Sequence, residues 1–111
     1  MHPKEIISQT FRKQFGMDPL FTALAPGRVN ILGEHVDYND GFVLPAAIDR
    51  ATYIAFSPAE STQGRTCLIA ADFNQQVEFT PESVTTKSCA DGTRLPDWAH
   101  YPAGVAWALT E

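Results

Sequence analysis

Residues 20–57 read LFTALAPGRVNILGEHVDYNDGFVLPAAIDRATYIAFS, and the order of apolar and turn-forming pieces within them sets the fold class. Leu20 to Pro26 and Val29 to Leu32 are two short apolar runs, interrupted at Pro26-Gly27 and closed by Gly33. Both have the pattern of buried strands. Asn39-Asp40-Gly41 is the strongest turn signal in the chain, because these residue types tolerate positive φ, and Phe42-Val43-Leu44 resumes a strand directly after it. Ala51 to Ser57 places Tyr53 and Ala55 on one side and Thr52, Ile54 and Phe56 on the other. A strand with two largely buried faces is expected there.

Working outward, residues 3–16 read as one amphipathic helix. Pro3 suits a first helical position, Ile7, Phe11 and Phe15 recur every four residues, and Gly16 offers a left-handed stop. Its apolar stripe should pack on a sheet. On the other side, Thr66 to Ala71 and Gln76 to Phe79 are further strand candidates, with Gln63-Gly64 and Phe73-Asn74 as connections. Consecutive strands after one helix favour an α+β fold with a mixed, mostly antiparallel sheet over a doubly wound one, whose strands would alternate with helices. Thr80 to Pro96 is polar, contains Pro81, Gly92 and Pro96, and reads as an irregular loop. Asp97 to Glu111 carries a candidate N-cap at Asp97 and an apolar face of Trp98, Tyr101, Val105 and Leu109. Pro102 should kink this helix or begin it. Its apolar face still runs at Glu111 without a capping residue, so the C-terminal helix reads as cut short.

Composition narrows the function classes. The 111 residues are 44% hydrophobic and 19% charged, which fits an ordinary globular chain, one domain or part of one. Thirteen Asp and Glu against eight scattered Lys and Arg give a formal charge of −5, which argues against nucleic-acid binding. In a negative chain, any anionic substrate must be met by a locally placed cation. Cys67 and Cys89 lie 22 residues apart without a CxxC pattern, and read as reduced, partly buried thiols. No apolar run reaches the ~18 residues of a membrane span and no signal-peptide core precedes the first helix, so a cytoplasmic protein without a membrane partner is expected.

The chemistry concentrates in Ala25 to Gly41, APGRVNILGEHVDYNDG. Gly27 and Gly33 flank Val29 to Leu32 and let the backbone turn, or approach a neighbour where a Cβ would collide. Glu34 and Asp37 are carboxylates three apart that a tight turn can converge on vicinal hydroxyls. A pocket built to hydrogen-bond one hydroxyl rejects an analogue that misplaces it, by up to ~10⁴-fold. Arg28 is a fixed, forked cation suited to a phosphoryl oxygen. His35 can donate or accept according to its tautomer. The same residues in a loop equally describe a structural salt-bridge network. A metal site is not expected: the spacing does not match HExxH, and the other histidines are His2 and His100. The Gly27 to Gly33 spacing lacks the Lys-Ser/Thr of a phosphate loop. Trp98, Tyr101 and Trp107 read as packing residues and not as a stacking platform.

The stretch GRVNILGEHVDYNDGFVLPAAID resembles the N-terminal signature of the galactokinases, within the GHMP family of small-molecule kinases. Looser agreement extends through ATYIAF, AADF and the spacing of Trp98, Tyr101, Gly104 and Val105. The resemblance implies phosphorylation of the anomeric hydroxyl of α-D-galactose, with ATP and Mg²⁺, by a full-length enzyme favoured as a monomer. Carried over by position, Arg28 resembles the residue that stabilises the charge developing in phosphoryl transfer. Glu34, His35, Val36 and Asp37 match the sugar-binding tetrapeptide, with Glu34 and Asp37 as hydroxyl acceptors. Val36 stands where relatives usually carry Thr, so a contact there must use backbone or apolar surface.

One departure matters. Galactokinases also carry a Gly/Ser-rich phosphate loop, a catalytic Asp and a third glycine-rich motif, and residues 1–111 match none of them. The chain is therefore expected to be an incomplete N-terminal, galactose-binding part of a GHMP-kinase domain, without the ATP loop or C-terminal domain and without turnover when made alone. Two alternatives stay open: a galactokinase-like sugar sensor without turnover, and an N-acetylgalactosamine kinase.

Overall fold

The computed structural model describes residues 1–33, 41–59 and 64–110. They form two compact units, Met1–Ser57 and Pro58–Glu111.

The first unit is a helix and a two-stranded sheet. Helix α1 (Pro3–Phe15) starts where the proline pattern places it, with His2 as N-cap and its Nδ1 accepting from the Lys4 N–H at 3.2 Å. It stops at Gly16, whose φ of 72° is the left-handed conformation that glycine adopts without a Cβ penalty, and the Gly16 N–H closes on the Arg12 carbonyl at 2.8 Å. Ile7 and Phe11 are half-buried, Phe11 lies against Phe15 at 4.6 Å, and α1 packs on the sheet.

Strands β1 (Phe21–Leu32) and β2 (Leu44–Phe56) pair antiparallel. Here the structure merges what periodicity divides. Pro26-Gly27 is an irregularity inside one continuous strand: Pro26 stands opposite Ala51 and Arg28 opposite Ala47, so Ile48, Asp49 and Arg50 face Gly27 alone. A Cβ on Gly27 would sit 2.9 Å from Ile48 Cδ1 and 3.3 Å from the Arg50 carbonyl, so glycine suits the crowded point of the bulge. Phe42 and Val43 precede β2 instead of opening a strand, and Phe42 is 99% exposed.

The expectation of buried strands is corrected as well. Ala51, Tyr53 and Ala55 are half-buried, and the Tyr53 ring meets His2 edge-on at 5.8 Å. Thr52, Ile54 and Phe56 are exposed, with the Phe56 ring 5.4 Å from its cross-strand partner Phe21. One helix covers one face of a two-stranded sheet, and the other apolar face has no cover among the described residues.

The second unit holds every buried residue described: Val77, Phe79, Val84, Cys89, Leu95, Ala99 and Ala103. Strands β3 (Thr66–Ala70) and β4 (Gln75–Phe79) form an antiparallel hairpin through a 3₁₀ turn, Ala71–Phe73, with Asn74 left-handed at φ 50°. The segment read as an irregular loop is ordered and supplies three of the core residues. Helix α2 (Pro81–Val84) is held by a capping box in which the Ser83 N–H donates to Thr80 Oγ1 at 3.1 Å and the Thr80 N–H to Ser83 Oγ at 2.9 Å. The chain then pairs Ser88 with Arg94, and the Ala90 N–H donates to the Glu78 carbonyl at 2.8 Å, so this segment lies along β4. Single apolar residues, Val84, Cys89 and Leu95, point inward from a polar stretch whose spacing has neither strand nor helix period. That is why pattern reading missed them.

A 3₁₀ turn, Asp97–Ala99, leads into α3 (His100–Thr110). Pro96 precedes the turn and Asp97 makes no side-chain cap. Pro102 lies in the first turn of α3, where its missing N–H leaves no helical bond unmade. The buried face is corrected: Ala99 and Ala103 enter the core with Ala106 beside them, while Tyr101 is 88% and Leu109 83% exposed. Alanines allow close backbone approach to α2, against which α3 packs, and larger side chains there would prevent it. Trp98 packs at the edge of the core, and its Nε1–H donates to Gln75 Oε1 at 2.5 Å, in keeping with a packing role.

The architecture is α+β, and each strand pair described is antiparallel. Cys67 and Cys89 are free, half-buried and buried respectively. Among the described residues no helix is long and apolar enough to cross a membrane.

Candidate functional site

Of the candidate residues, Arg28 falls on the β1–β2 sheet. Arg28 follows the Gly27 bulge directly, in register with Ala47, and its side chain is exposed. The ion pairs among the described residues are Arg12–Asp18 and Arg65–Glu78, and Arg28 belongs to neither. A guanidinium is a planar, forked donor of the kind that suits an anionic or hydroxylated ligand. Asn30, half-buried, follows two residues later in register with Pro45.

The strands then close. Leu32 is in register with Leu44, after a slip in pairing between Asn30 and Leu32. Gly33 has φ 84° and lies against the chain that returns: a Cβ placed on it would strike the Phe42 carbonyl oxygen and sit 2.9 Å from Val43 Cα and 3.0 Å from Val43 Cγ1. Sequence reading marks Gly33 as a place for close approach, and the neighbour it approaches is the backbone leading into β2.

Glu34, His35, Val36 and Asp37 lie outside the described residues, as do Tyr38, Asn39 and Asp40 and with them the Asn39-Asp40-Gly41 turn. The structure therefore places Arg28 on β1 and both ends of the segment that carries the other four.

Electrostatic perturbation among the described groups lies in the second unit. Burial, with Glu78 beside it, pushes the Cys67 thiol up from its ordinary value. The Asp91 carboxyl is held below its ordinary value by the Thr93 hydroxyl, at 2.6 Å, and by the Thr93 N–H, at 3.0 Å. A shallow cleft of about 390 Å³ there is lined by Arg65, Glu78, Asp91 and Arg94 among others, with two cations matched by two anions. Among the described residues no group of three His, Cys, Asp or Glu side chains could hold a metal ion.

Comparison with known proteins bears on the first unit most directly. The galactokinase galactose-binding signature matches residues 9–58, a span that takes in β1, β2 and all five candidate positions. A galactokinase of Chloroflexus aggregans (strain MD-66 / DSM 9485) is 41% identical over 103 residues, which are 93% of this chain and 24% of that relative. The chain thus spans about a quarter of the relative's length. It belongs to the galactokinase family, as a segment that carries the family's galactose-binding signature.

Proposed function

We propose that this chain is the galactose-binding, N-terminal segment of a cytoplasmic enzyme that transfers a phosphoryl group from ATP to the anomeric hydroxyl of α-D-galactose, giving galactose 1-phosphate. The observation that carries the reading is the match of the galactose-binding signature across residues 9–58. Within it, Glu34 and Asp37 accept hydrogen bonds from sugar hydroxyls, and ionised carboxylates are the acceptors best suited to vicinal hydroxyl pairs. His35 adds a donor or acceptor, and Val36 meets the sugar through backbone or apolar surface. Arg28 supplies fixed positive charge where negative charge develops on the transferring group and helps to activate the attacking hydroxyl.

ATP and Mg²⁺ belong to this reaction, but the described residues of this chain do not fit them. No phosphate loop occurs in residues 1–111, and the described side chains offer no metal cluster. Positioning of both phosphates and metal dominates phosphoryl transfer, so that part of the chemistry lies with polypeptide that this segment does not supply.

Kinetics in the complete enzyme test the assignment. Arg28→Ala should depress kcat with only a modest change in galactose affinity, while Asp37→Ala should mainly weaken sugar binding. Small, equal effects of the two would return both residues to a structural salt-bridge network. The 111-residue chain alone should show no phosphotransfer, and turnover by it would refute the division of labour.

A further inference from the structure

At the start of α1, one residue accepts every N–H of the first four helical positions. Pro3 has none to place, the Glu5 and Ile6 N–H groups reach the His2 carbonyl at 2.8 and 3.2 Å, and the Lys4 N–H reaches His2 Nδ1 at 3.2 Å. An amide nitrogen only donates, so Nδ1 must keep its lone pair and the neutral ring carries its proton on Nε2. The hydroxyl and amide oxygens that usually cap helices do not change charge near neutrality, whereas an imidazole does. The same ring meets Tyr53 of β2 edge-on at 5.8 Å, and β2 is the strand on which α1 packs. Cap and docking contact thus share one titratable group.

His100 supplies a contrast within the chain. Its Nε2 lies 3.1 Å from the Leu95 carbonyl, which only accepts, so that nitrogen must donate, and a ring protonated on both nitrogens donates there equally well. A second proton spares the bond at His100 and abolishes the one at His2.

We propose that His2 is a proton-sensitive clasp for α1: as the neutral ring it caps the helix and holds its start on β2, and with both nitrogens protonated it releases the first turn. Imidazolium offers the Lys4 N–H no acceptor, and it adds positive charge at the positive end of the helix dipole, next to the Met1 amino group and Lys4. Glu5 is the acid of that turn and offsets part of this charge. Of the titratable and charged residues on β2, Asp49, Arg50 and Tyr53, the ring contact is with Tyr53, where a cation gains a little from the aromatic face. Neither restores an acceptor to the Lys4 N–H. The role uses none of the five candidate positions and is independent of the galactose-binding reading.

The test is an NMR titration of the 111-residue chain from about pH 7.5 to about pH 5.5, a range that spans the ordinary titration of imidazole and leaves exposed carboxylates ionised. The readouts are the Lys4 amide, the Cα shifts of Pro3 to Ile7 and the His2–Tyr53 ring contact. His2→Asn keeps a capping acceptor that does not titrate, and His2→Ala removes the acceptor. The unaltered chain should match His2→Asn at the upper pH and His2→Ala at the lower, with the first turn frayed about fivefold more, as loss of a typical cap implies. The change should follow the His2 ring protons, and the Cα shifts of α3 should stay helical throughout. Helical shifts over Pro3 to Ile7 that hold steady while the His2 ring titrates overturn the proposal. An equal loss in His2→Asn also overturns it, by assigning the change to another group, and so does agreement of His2→Asn with His2→Ala at both pH values, which would show that position 2 caps nothing.

Discussion

At the scale of single residues, the five candidate positions divide by what they can contribute. Arg28 is held by β1 and is in register with Ala47, so its Cα position is set by the ladder and the Gly27 bulge. Elsewhere, two titrating groups give checks on the local structure. The Asp91 carboxyl is depressed because its charged form accepts from Thr93, so this turn gains its full support above the ordinary carboxylate range and loses it as pH falls through the lower, folded value. The Thr93 amide resonance should report that loss in an acid titration, and Asp91→Asn should flatten the response. Cys67 is raised by burial and by Glu78, so its thiol should react with an alkylating reagent at neutral pH more slowly than a free cysteine does. Removing the nearby charge with Glu78→Gln should raise that rate modestly. Equal rates for Cys67 and free cysteine would contradict its half-buried setting.

At the scale of elements, legibility followed the strength of the local signal. Helix α1 was readable because Pro3, the four-residue spacing of Ile7, Phe11 and Phe15, and Gly16 all specify the same start, face and stop. The strands were legible in type but not in extent: the break expected at Pro26-Gly27 is a bulge, and bulges depend on register with a distant partner, which a local pattern does not contain. Helix α3 was legible in place and misread in orientation, since the large apolar residues attract a hydrophobic reading while the core takes the alanines. Ala103→Leu should therefore destabilise the second unit by about 1–3 kcal/mol through overpacking, while Leu109→Ser, at an exposed position, should stay within ~0.5 kcal/mol. Chemical denaturation followed by Trp98 fluorescence separates the two. Thr80→Ala removes one half of the capping box at α2 and should cost about 1 kcal/mol in the same measurement. Of the site, the motif was readable from residues 25–41, whereas the close approach at Gly33 became visible only when Phe42 and Val43 were placed against it.

At the scale of the whole molecule, the two units differ in how they are held. The second buries seven residues in one cluster, and the first has a helix on one face of a two-stranded sheet and buries none of its described residues fully. A two-stranded sheet is marginally stable by itself in water, and large apolar side chains such as Phe21, Val29, Ile31, Ile54 and Phe56 remain exposed on this one. Amide hydrogen exchange should accordingly find the slowest protons in β4 and the core face of α3, with β1 and β2 exchanging orders of magnitude faster. The isolated chain should also self-associate as its concentration rises. Uniform protection across both units, in a monomer that melts cooperatively, would contradict this division. The family match falls on the first, less buried unit, so the galactose-binding signature and the weaker packing reside in the same residues.

The most direct test is a paired titration of the chain with D-galactose and with D-glucose, followed through the amide resonances of Arg28, Gly33 and Glu34 to Gly41. Galactose should shift these resonances in a saturable way, with glucose much weaker, because carboxylates arranged for one hydroxyl geometry reject the epimer that misplaces it. Equal responses to the two sugars, or none to either, would contradict the claim that these residues form a galactose-recognising surface.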